Sequence, residues 1–110
     1  MTIREVIMDA QDQMLHEMAP AQARDLLVKL TAWIGNALVA ITETEHRYRL
    51  VLLKELSTDE PANRATIRAQ VSLEYVAYQQ AKNDHAALLE NVRSLKQYLK
   101  SLQDEMQLSR

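Results

Sequence analysis

From Ile67 onward, residues that keep a helical seam return in steps of four and three without a slip: Ile67, Val71, Glu74, Tyr78, Ala81, His85, Leu88, Val92, Leu95, Leu99, Leu102 and Met106. A strict 3.5-residue repeat held over more than five heptads describes a helix that winds along another helix. The positions between them are largely charged or amide residues, as a solvated outer face requires. The reading is a coiled-coil strand over about residues 60–108.

Such a strand needs a partner, and the chain has few places to turn back. Its 110 residues include one Gly and two Pro, so it must consist of very few, very long elements. An all-β fold would need turns and β-branched runs that are missing. Ser57, Thr58, Asp59, Glu60 and Pro61 form one credible turn: Ser, Thr and Asp are cap residues, and Pro suits a first helical turn. Before it, Leu27, Leu30, Ile34, Leu38, Ile41, Tyr48 and Leu52 make the inner stripe of a helix over about 20–56, interrupted by Glu45. Thr2-Ile3-Arg4-Glu5 is a capping box that opens a shorter helix over about 2–17, broken before Pro20. The expected fold is all-α: a long antiparallel, coiled-coil-like hairpin with a short N-terminal helix, in a single domain over 1–110. Gly35 inside the second helix costs roughly 1 kcal/mol relative to Ala. Close packing against the first helix beside Trp33 would explain it, and so would a functional kink.

Folding the hairpin about residues 58–60 sets Leu52 against Ile67, Tyr48 against Val71, Ile41 against Tyr78 and Ile34 against His85. Two features are left uncovered. The second helix begins opposite about Leu99, beyond which lie Leu102, Met106 and Leu108; and Tyr48–Leu56 is apolar on more than one side, with Leu50, Val51, Leu53 and Leu56 unable to face one partner helix together. The first helix is too short to cover the hairpin. Self-association into an oligomeric helical bundle is therefore expected, with Tyr48, Leu50, Val51, Leu53, Leu56, Leu102 and Met106 at the interface.

Few residues offer chemistry. Glu43 and His46 have Glu-x-x-His spacing, which in a doubled bundle and with Glu74 would suggest a carboxylate-bridged metal site. At about 100° per residue, however, both point away from the seam that Ile41 marks. Glu45 and Glu74 face each other in the expected register, and two carboxylates repel unless a proton or cation intervenes. With Arg49 one turn from Glu45, and His85 on the same seam, the reading is a polar core layer that fixes register, the alternative being a ligand site. Arg93, Lys96 and Lys100 form a basic stripe. It is either a solvated face or a phosphate contact for single-stranded nucleic acid, with Tyr98 available to stack on a base. No Gly-rich phosphate loop or presented nucleophile is evident, so no enzyme and no cofactor are expected.

Cysteine is absent, and the net charge is −2, which disfavours general coating of duplex DNA. The opening residues do not form a signal peptide. No stretch of about 18 apolar residues is expected to span a membrane, so the location read is cytoplasmic. The segment Ser72–Tyr78, together with Leu95-Lys96-Gln97-Tyr98-Leu99-Lys100-Ser101-Leu102-Gln103-Asp104-Glu105-Met106 and Arg110, resembles small helical proteins of tailed bacteriophages and prophages encoded among replication and recombination genes. The resemblance covers about the last 40 residues, and Glu45–Leu56 weakly. It implies a non-catalytic accessory protein that binds a protein partner or single-stranded DNA, with inhibition of a host defence or regulatory protein as the alternative.

Overall fold

The computed structural model describes residues 1–58 and 60–108; Asp59 in the expected turn and Arg110 in the resemblance fall outside them. The fold is all-α, and its elements run α1 (Ile3–Met14), α2 (Pro20–Leu56), α3 (Ala62–Gln70) and α4 (Leu73–Leu108). The long helix α2 packs against α4 as a hairpin.

Local chemistry sets the ends. The Glu5 amide donates to the Thr2 hydroxyl at 3.2 Å, and that hydroxyl donates to the Glu5 carboxylate at 3.1 Å, so the first turn of α1 is capped. The helix closes at Met14, three residues short of the expected end, as the Leu15 and His16 amides turn back to Asp12 and Gln13 in tight 3₁₀-type bonds. At the other end of α2, the Ser57 and Thr58 hydroxyls each donate at 2.7 Å to the carbonyls of Lys54 and Glu55. Those bonds occupy carbonyls that a helix end leaves without partners.

The expected third helix is two helices. Val71 adopts φ −96° and ψ 2°, and the Ser72 hydroxyl donates to the Ala69 carbonyl at 2.6 Å while accepting from the Tyr75 amide at 3.2 Å. Ser72 thus seals the end of α3 and caps the start of α4. The break shifts the phase of the seam. Ala65 and Ala69 turn inward, whereas Ile67 is 60% exposed and Val71 77% exposed. The Leu52–Ile67 and Tyr48–Val71 pairings expected from an unbroken heptad do not form a buried seam.

The described residues fall into two compact units: unit 1, Met1–Asn36 with Asp84 onward, and unit 2, Ala37–Asn83. Unit 1 has a core of aliphatic side chains drawn from three helices: Val6 and Ile7 from α1, Leu26 and Leu30 from α2, and Leu88, Val92 and Leu95 from α4. In unit 2 the buried apolar residues are Ala37, Ala65, Ala69 and Ala81.

Candidate functional site

Within unit 1, the start of α2 and the later part of α4 line an open groove of about 500 Å³, formed by Pro20, Arg24, Lys96, Leu99, Lys100, Leu102, Gln103 and Met106. A second groove, of about 430 Å³, is lined by Leu89, Val92, Arg93, Lys96, Gln97 and Lys100. Lys96 and Lys100 border both grooves, because residues four apart stack along one helix face. Arg24 lines the first groove and Arg93 the second, and among the described residues neither groove has a carboxylate in its lining. Arg93 donates to Glu90 at 2.9 Å on the helix surface. Leucines, Val92 and the lysine stems supply apolar surface, so the site pairs positive charge with a partly apolar floor. The expected stripe of Arg93, Lys96 and Lys100 is therefore one side of a grooved surface, and Leu102 and Met106 belong to it rather than to a bare helix end.

Tyr98 does not join that stripe. Its hydroxyl donates to the Met18 carbonyl at 2.5 Å and accepts from the Met18 amide at 3.3 Å, tying the segment before Pro20 to α4. A ring held there is not a stacking platform beside the lysines, and at 100° per residue Tyr98 lies on the far side of α4 from Lys100. Pro20 and Arg24, which sequence reasoning left out, follow directly from that tie. Their only sequence signal was the proline at the start of α2.

Unit 1 also holds Asn91, buried in α4, with its side-chain Nδ2 making no hydrogen bond to protein. An unpaired buried donor costs on the order of 1–3 kcal/mol, and its place on the core side of a heptad helix fits a polar group that limits register. Asp84 sits beside Arg4, 3.9 Å from its Nε. Burial pushes the Asp84 carboxyl above its ordinary range, and Arg4 opposes that in part. No described atom packs onto Gly35: beyond its chain neighbours and the local helix backbone, a methyl group added there would meet nothing within 4 Å, so the close-packing explanation fails. His85 is half-buried in this unit.

In unit 2 the expected carboxylate layer is not assembled. Glu45 is paired with Arg49 one turn along the same helix, while Glu74 is exposed in the first turn of α4, where a negative charge suits the helix dipole. With the seam re-phased, the residues opposite Tyr48 are tyrosines. Its ring lies 4.9 Å from that of Tyr75 and 5.8 Å from that of Tyr78, stacked on the latter at 17°. Lys82 Nζ caps the Tyr78 ring at 4.4 Å, and Gln79 donates to the Tyr75 hydroxyl at 2.6 Å. Tyr48 is thus committed inside its own chain, and Val51 is half-buried, whereas Leu50, Leu53 and Leu56 are exposed. Arg68 bridges Glu60 and Glu55, the latter at 3.7 Å; the hydrogen-bonded Glu60 carboxylate holds its guanidinium above the usual range, with a smaller contribution from Glu55. Among the described residues, no group of three or more His, Asp and Glu side chains gathers where a metal ion could bind.

One helix contradicts the expectation that no stretch could span a membrane. By length and composition α2 passes that test, with an 18-residue window of mean hydropathy 1.4, of which 17% is buried. A helix reads this way when a second face is apolar besides the one that packs inward. Comparison with known proteins returned no matching family model, no matching curated protein and no matching solved structure.

Proposed function

We propose that this chain is a non-catalytic helical adaptor, and that unit 1 receives an acidic, amphipathic segment of a protein partner across the Lys96–Lys100 ridge. One observation carries the reading: two partly apolar grooves share that ridge, with Arg24 and Arg93 lining one groove each and, among the described residues, no carboxylate in either lining. An acidic amphipathic helix would place its apolar anchors in the grooves and its carboxylates on the cations. Single-stranded DNA would find the charges but no ring to stack on, since Tyr98 is bound to Met18. The accessory role in phage replication or recombination that the resemblance implies, the inhibitor alternative and the cytoplasmic location belong to the same proposal. The inhibitor alternative in particular calls for a protein-binding face.

The test compares the wild-type chain with a Lys96→Glu/Lys100→Glu variant in capture from bacterial lysate, with circular dichroism confirming that helicity is kept. Fluorescence anisotropy with a labelled oligothymidylate at about 50 mM salt runs in parallel. The expected result is a protein captured by the wild type and lost on charge reversal, with no oligonucleotide binding. Capture indifferent to the reversal would overturn the site. Oligonucleotide binding whose affinity falls with salt at a log–log slope of about −0.7 per contact would replace the partner with nucleic acid.

A further inference from the structure

Unit 2 lacks what normally holds a helical hairpin together. Its buried apolar residues are all alanines, and its aromatic cluster covers one face of α2 only. On the opposite face, Val39, Glu43, His46, Leu50 and Leu53 are all exposed and follow steps of four, three, four and three. At 100° per residue they fall within a sector of about 80°, which is a single stripe.

From these observations we infer that a second copy of this chain covers the outer stripe of α2, the two helices running antiparallel about a two-fold axis between Thr44 and Glu45. A two-fold interface must be complementary to itself, and this stripe is. The antiparallel offset that lays Val39 of one copy against Leu50 of the other also lays Glu43 against His46, with Arg47 alongside. Val39 thus meets Leu50, and a carboxylate meets basic groups, twice over, while Leu53 extends past these pairs toward Asn36 of the other copy. Partners of other kinds have no reason to match that internal symmetry.

The available area sets the strength. An aliphatic side chain withdraws on the order of 100 Å² when fully buried. About half of that is still exposed on each of Val39, Leu50 and Leu53, the apolar members of the stripe. The sum, about 150 Å² a side, is less than a third of the apolar area of a standard homodimer face. So small a face describes a weak dimer, expected to populate at about tens to hundreds of micromolar.

Light scattering over about 1–200 µM tests this. The expected mass rises from the 12.6 kDa of one chain toward twice that value. Leu50→Glu should weaken the dimer at least about a hundredfold, because an unpaired charge would be buried against Val39 of the other copy. Glu43→Arg alone should weaken it about tenfold, and Glu43→Arg with His46→Glu should restore it, since that swap exchanges the two members of the facing pair. Those two positions are exposed, so the swap leaves the chain's own packing untouched. A mass of one chain throughout that range overturns the inference, as does a dimer indifferent to Leu50→Glu. Failure of the swap to rescue overturns the antiparallel arrangement. Flotation with phosphatidylglycerol vesicles, without self-association, would make a lipid surface the occupant instead.

Discussion

In unit 1 the most deeply buried large side chains are Leu30, Leu88, Leu95 and Val6, while in unit 2 every buried apolar residue is an alanine. Both units contain the same helices, α2 and α4, and both lie on the same heptad run. The difference is what the third helix brings. In unit 1, α1 presents Val6 and Ile7, so aliphatic side chains from three helices enclose one another. In unit 2, α3 presents Ala65 and Ala69, small residues that let backbones approach but enclose little. A heptad therefore specifies that helices lie side by side; it does not specify that the seam becomes a sealed core.

The largest expected effect would break this comparison if it failed. Leu88→Ala, at a fully buried position of unit 1, should cost about 2–5 kcal/mol in urea unfolding. Val71→Ala, at a seam position of unit 2, should cost less than about 0.5 kcal/mol. Comparable losses at the two sites would show that Val71 is covered. A smaller effect concerns how tightly unit 1 is packed at Gly35. With open space around it and no positive φ, Gly35→Ala should raise stability by about 0.5–1 kcal/mol, read as a higher melting temperature. A loss would mean that the surface there is occupied.

The smallest effect is a titration that sharpens the contrast in burial. The folded Asp84 carboxyl is pushed up, so the native state holds its proton to higher pH than the unfolded chain. Stability from this group is full below the ordinary value of 3.8 and is lost as pH rises through the raised one. Asp84→Asn should accordingly stabilise the protein at neutral pH, by less than about 1 kcal/mol after the exposed Arg4 contact is given up, and should do nothing below pH 3.8. Urea titrations at pH 3 and pH 7 distinguish the two regimes. A gain of equal size at both would assign the effect to something other than the carboxyl.

Much of the fold was legible because helix signals are local. Thr2 with Glu5, Pro20 and the Ser57–Thr58 pair mark helix ends by chemistry that acts within four residues. The break at Val71–Ser72 was not legible, because a serine in a heptad helix is common, and only packing decides whether its hydroxyl caps a new helix. That one break displaced the register, so Tyr48 meets Tyr75 and Tyr78, and Glu74 faces out. The basic side chains at 93, 96 and 100 were readable from spacing alone. The contributions of Pro20 and Arg24 were not, since they depend on a contact between residues 18 and 98.

That contact also bears on how the chain is made. Unit 2 is one continuous stretch, whereas unit 1 is assembled from a segment synthesised before it and another synthesised after it. While the ribosome is still adding residues 37–83, Val6, Ile7, Leu26 and Leu30 have been synthesised, but Leu88, Val92 and Leu95 do not yet exist. The better-sealed unit is thus the later to be completed. Until translation passes Tyr98, the nascent chain carries half of an aliphatic core with nothing to close over it, the kind of surface that chaperones bind.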